Sequence, residues 1–126
     1  MRYLLIHKLD ETRPEAWNPS TEFVEAMGAF MTECAESGVL LAAEGVHESS
    51  EGAIIRKRGS GTSVIDGPFT EAKELIGGYA VIEVHSRAEA LELARRVIQI
   101  HADHWPKWNG SCELRQIGDP PAELAG

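Results

Sequence analysis

Apolar positions along this chain follow two rhythms. Between residues 23 and 34, Phe23, Ala26, Met27, Phe30, Met31 and Cys34 recur at steps of three and one, which draws a single stripe along a helix. Glu22, Glu25, Glu33 and Glu36 take other positions and keep that helix solvated. Asn18 before Pro19 predicts its start, because Asn accepts from orphan N–H groups and proline at the first helical position has no N–H to leave unpaired. Gly38 predicts its end by supplying a left-handed residue past the last turn. A second stripe, Ala90, Leu93, Ala94, Val97 and Ile98, follows Ser86 and Glu89, which stand at the spacing of a capping box.

Elsewhere the period is two. "RYLLIHK" (2–8), "VLLAAE" (39–44), "GYAVIEVH" (78–85) and "CELRQI" (112–117) read as strands, and "AIIRKRGSGTSVIDG" (53–67) as a hairpin turning at Gly59-Ser60-Gly61. The order β, α, β, hairpin, β, α, β predicts an α+β fold: a ferredoxin-like sandwich whose mainly antiparallel sheet carries two helices on one face. Residues 1–118 make one domain in this reading, and 119–126 a short tail whose Pro120-Pro121 cannot continue the last strand. Tyr3 and Leu5 alternate with Leu4 and Ile6, and Tyr79 and Val81 with Ala80, Ile82 and Val84, so both sheet faces are apolar. Two helices cover one face only. The other predicts a homodimer whose sheets face each other and enclose a pocket for a small molecule.

Composition and charge remove several alternatives. A chain of 126 residues with 43% hydrophobic content can bury one core without staples. Twenty acidic against 12 basic residues give a net charge of −8, which repels phosphate backbones and anionic membranes. The densest basic cluster, Arg56, Lys57 and Arg58, alternates its faces on a strand, so nucleic acid is not an expected partner. "YLLI" is too short for a signal core or a membrane span, which places the protein in the cytoplasm. Cys34 and Cys112, without C-x-x-C spacing, read as reduced core residues.

The stretch "DGPFTEAKELIGGYAVIEV" (66–84) resembles the signature of the DGPF-domain branch of the YCII-related proteins, and "MRYLLIHK", "GVLLAAEGVHESSEGAIIRKR", the "EAL" helix and "CELRQI" extend that resemblance over most of the chain. It implies a ferredoxin-like fold forming a dimeric α-β barrel, with no general activity established. Some relatives are dehydrochlorinases that use a His-Asp pair, but their histidine lies on the first helix, and residues 19–37 here contain none. The resemblance also implies an association with alternative sigma factors.

Candidate chemistry falls on loops and strand ends. Asp66 before Gly67-Pro68 suits a turn, and equally a carboxylate held rigidly at a strand end for general-base work. Glu44 and His47 follow a buried strand, where side chains converge on pockets. Asp66 as base, His47 as acid and Glu44 as orienting group would make a cofactor-independent lyase or isomerase. The alternative is a non-catalytic module that binds a small ligand or a protein partner such as a sigma factor. His7 and His85 flank strands and read as surface or rim residues. "HADHWPKW" brings His101, Asp103 and His104 together, but three ligands from so short a segment converge poorly, so it reads as a histidine-rich helix end and no metal is expected. Trp105 and Trp108 read as a packing plug or part of a dimer seam, and Lys73 and Glu74 as a solvated charge pair.

Overall fold

A computed structural model describes residues 1–70 and 73–118; Glu71 of the motif and the Pro120-Pro121 tail lie outside the described residues. Six strands and two long helices follow the expected order: β1 (Arg2–Leu9), α1 (Thr21–Glu36), β2 (Leu40–Gly45), β3 (Ala53–Arg58), β4 (Gly61–Asp66), β5 (Leu75–Glu83), α2 (Arg87–His104) and β6 (Gly110–Gln116). One-turn 3₁₀ helices occupy Pro14–Trp17 and Ser49–Glu51. Strands β2-β5-β1-β6 form one antiparallel sheet in that order, while among the described residues β3 and β4 pair only with each other. The fold is therefore α+β, with two helices and an antiparallel sheet.

The first helix begins two residues later than the Asn18-Pro19 pair predicts. Ser20 is the N-cap: its hydroxyl accepts from Phe23 N at 3.0 Å and donates to His104 O at 2.5 Å, so it caps α1 and ties it to the end of α2. At the other end Gly38 has φ +81, the left-handed stop expected of it. Ser86 and Glu89 cap α2 as predicted; Ser86 Oγ accepts from Glu89 N, and the Glu89 carboxylate reaches back to His85 N. The strand read from residue 78 starts at Leu75, and the last strand starts at Gly110 rather than at Cys112.

Register decides which apolar row faces the helices. Leu5 lies opposite Ala80 and Leu114, and Tyr3 opposite Ile82; with Val84 they are buried under Ala90 and Ala94 of α2. Leu4 lies opposite Val81 and Ile6 opposite Tyr79, on the face away from the helices. A second cluster of Leu9, Ala16, Trp105 and Trp108 closes one end of the helix layer, so the two tryptophans are a packing plug within the chain.

The DGPF segment is bound to the 3₁₀ turn at Ser49. Glu11 accepts from both Ser49 N, at 2.9 Å, and Ser49 Oγ, and that hydroxyl in turn accepts from Phe69 N at 2.9 Å. Gly67 N donates to Gly52 O at 2.9 Å, and the Gly67-Pro68 peptide is cis. Beyond this anchor the β3-β4 arm is exposed along its length, with Ile55 76% and the facing Val64 65% accessible.

Candidate functional site

Between the helices and the sheet lies a cavity of about 340 Å³. Its origin is legible in the register. The helix-facing positions of β2 and β5 are Ala43 opposite Ala80 and Gly45 opposite Gly78, so the sheet floor is low where α1 passes over it. Met27, Phe30 and Met31 of α1 form the roof. The stripe that predicts a packed helix thus leaves space beneath it, and empty space of this kind forfeits dispersion contacts unless something occupies it. Gly78 has a second reason to be glycine: a Cβ there would stand 3.0 Å from Glu44 O and 3.5 Å from the Cα of Gly45, against the backbone of β2.

Two imidazoles stand at one end of this apolar space. His7 on β1 lies between Gly78 and Cys112 in the ladders and so shares the helix-facing side with Leu5. His101 on α2 is only 2% exposed. Their ring centroids are 5.0 Å apart, and Phe23, Trp105 and Trp108 pack around His101 at 4.5, 6.1 and 4.0 Å. His101 Nδ1 donates to Val97 O at 2.8 Å. The Nε2 atoms of both histidines, and Trp108 Nε1, are buried without a partner among the described residues. Leaving one such atom unpaired costs about 1–3 kcal/mol in a folded protein.

Burial sets the charge of the site. It pushes His7 from its ordinary 6.5 down to about 4, with the neighbouring His101 acting in the same direction. His101 is also lowered by burial, against the opposing hydrogen bond to Val97. Burial raises the thiols of Cys34 and Cys112, which line the same cavity and are both free. At neutral pH these four groups are uncharged.

The residues singled out from sequence are distributed differently. Glu44, on β2, lines the cavity but is exposed, and it pairs across the ladder with Tyr79. His47 lines a separate shallow groove with Trp17, Val46 and Glu48. Asp66 is exposed at the end of β4, opposite Ala53. Neither His47 nor Asp66 lines the helix-side cavity, so the three are not gathered around one space. His7, expected at the surface, has its Nε2 buried in the cavity wall because β1 alternates Tyr3, Leu5 and His7 on one side. His101 extends the α2 stripe by one turn from Val97, a spacing that marks it as inward-facing, whereas Asp103 and His104 are exposed. Among the described residues no group of three His, Cys, Asp or Glu side chains is placed to hold a metal ion. Glu74 accepts from Ser111 Oγ at 2.7 Å, so it is tied to β6 and is not simply a solvated partner of Lys73.

The model of the YCII-related domain matches residues 1–107 of this sequence. The chain belongs to the YCII-related family. It is also similar to an uncharacterised protein of Rhizobium meliloti (strain 1021), 30% identical over 127 residues that cover 98% of each chain. No helix among the described residues is long and apolar enough to cross a membrane.

Proposed function

We propose that this YCII-family protein binds a small, largely apolar organic molecule in the helix-side cavity, with His7 and His101 as its polar end. The observation that carries this reading is an apolar cavity of about 340 Å³ between the helices and the sheet, with two neutral imidazole side chains in its wall. Neutral imidazoles offer a lone pair for accepting a proton, which suits a cofactor-independent lyase or isomerase working by acid–base transfer. Glu44 lies opposite Tyr79 on the sheet face away from the helices, so it borders the cavity without facing into it; Asp66 and His47 stand apart from the cavity, and Asp66 is the turn residue of a structural anchor. The Asp-Gly-Pro-Phe block supports assignment to the DGPF branch.

The binding reading is tested with protein carrying ¹³C-methyl methionine and a library of small uncharged organic fragments. The three methionines are Met1, Met27 and Met31. Binders are expected to shift Met27 and Met31 while leaving Met1 unmoved; fragments that move only Met1, or none, would sink the reading. Asp66→Asn is expected to leave both the fold and fragment binding unchanged within about twofold, since Asn keeps the local turn chemistry. Loss of binding in that variant would restore Asp66 to the site.

The strand order β2-β5-β1-β6 with both helices over one face supports the ferredoxin-like description. We propose that the opposite face is the homodimer interface, closing two sheets into an α-β barrel. Leu4, Ile6 and Val81 form an apolar row there, and Tyr79 beside them is 37% exposed. The β6 side of the face is charged and internally paired, with Lys8 Nζ 2.7 Å and Arg115 Nη1 3.1 Å from the two Glu113 oxygens. Val81→Glu is expected to give a monomer or insoluble protein, read by sedimentation. A soluble dimer of unchanged size would remove this interface. The free thiols support a reducing compartment, the cytoplasm.

A further inference from the structure

Neither strand of the β3-β4 arm makes an extended contact with the sheet or with either helix among the described residues. Two rungs of its ladder are apolar, Ile54 with Ile65 on one face and Ile55 with Val64 on the other, and the second pair is the more exposed. Lys57 follows Ile55 by two residues and so shares that face. It stands five residues beyond the Gly67 to Gly52 hydrogen bond, a reach of about 17 Å for extended chain. The arm thus carries an apolar pair and a cation away from its own body, although a two-stranded ribbon needs further packing to be stable in water.

Charge selects what covers it. The arm holds three of the chain's 12 basic residues, Arg56, Lys57 and Arg58, and one of its 20 acidic ones, Asp66, so the rest of the chain is more acidic than the whole. Two arms laid together would set like charges side by side. The outer sheet face of the same chain is complementary instead. Tyr79 and Ile76 of β5 are exposed apolar side chains there, and Glu44 stands opposite Tyr79 on β2. Neither Lys57 nor Glu44 is in an ion pair among the described residues. That face is the one assigned above to the homodimer, so an arm seated on it extends one interface, and the inference rests on that reading. We propose that the arm of each copy reaches across the homodimer and packs Ile55 and Val64 on the partner subunit's Tyr79 and Ile76, with Lys57 paired to Glu44 of the partner subunit. Twofold symmetry makes this contact twice.

The test is fluorescence-detected sedimentation of the full chain over a dilution series. Lys57→Glu and Glu44→Lys are each expected to raise the dimer dissociation constant at least about tenfold, because each sets like charges face to face at both contacts. Ile55→Ser, which probes the apolar half, is expected to weaken the dimer by about as much. All three residues are exposed, so the fold is expected to survive the changes. Lys57→Glu and Glu44→Lys chains mixed in equal amounts are expected to regain the parental affinity, since in the mixed dimer both contacts again join opposite charges; a pairing within one chain could not be restored by mixing. Unchanged affinity in all three variants, with Val81→Glu still giving a monomer or insoluble protein, would overturn the clasp, assign the arm to a different partner and leave the sheet interface standing. Weakened dimers that mixing does not restore would overturn it as well. A parent chain that sediments as a monomer throughout would remove the homodimer reading and the clasp with it.

Discussion

Gly67→Ala is expected to destabilise the protein by at least about 3 kcal/mol in chemical denaturation, at the upper end of what overpacking costs. A Cβ at Gly67 would overlap the carbonyl group of Ser49 and approach Ser50 N to 3.2 Å. The obstacle is backbone, so no side-chain rotation relieves it. Moving Ser49 is costly as well, because its N–H and hydroxyl are held by Glu11 and its oxygen holds Phe69 N. The glycine of the motif is thus explained by the close approach of two chain segments. Ser49→Ala, which loosens the same anchor without a clash, is expected to cost less, about 1–2 kcal/mol from the lost hydrogen bonds. Equal stability of Gly67→Ala and the parent would mean that the two segments are not packed against each other.

Acidification supplies the other large effect. His7 has an ordinary pKa of 6.5 in the unfolded chain and about 4 in the fold. The unfolded state therefore binds its proton first as pH falls, so the stability carried by neutral His7 is complete above 6.5 and is lost as pH drops toward 4. The loss amounts to on the order of 2–3 kcal/mol, and His101, lowered in the same direction, adds to it. Asp10 lies below this window, and Glu113 touches only its lower end. Thr12 donates to the first and Lys8 to the second, which holds both below their ordinary 3.8 and 4.5; their contributions persist above those values and fade only at lower pH. Urea denaturation at successive pH values is expected to show a steep decline between 6.5 and 4 that flattens in His7→Phe. A profile flat to pH 4.5 in the parent protein would show that His7 is not buried as described.

The hydrophobic periodicity was sufficient for the elements and their order, and it fails in specific places. Ser20 rather than Asn18 caps α1, because the cap is also chosen by a contact with His104 O that is 84 residues distant and invisible to local pattern. The cavity was hidden for a related reason. Ala43, Gly45, Gly78 and Ala80 look like strand filler until the ladder shows them facing one another under a helix. The histidines were less hidden: His7 continues the Tyr3, Leu5 alternation, and His101 continues the α2 stripe four residues beyond Val97. The motif and loop residues point instead to Asp66 and His47, where polarity is conspicuous in the sequence. A buried imidazole in a hydrophobic row is less conspicuous, and its unpaired nitrogen is apparent only once its neighbours are known.

The β3-β4 arm carries a consequence for how the molecule wears in use. Among the described residues its strands pair only with each other, and a two-stranded ribbon is marginal in water without further packing. The four-stranded sheet closes without it. Opening of the arm therefore costs only local free energy, and its amides should exchange with deuterium, and its Arg56-Lys57-Arg58 peptide bonds meet trypsin, long before the core opens. A chain nicked there would keep β1, β5, α1 and α2 packed around the cavity, so damage to the arm is separable from damage to the site.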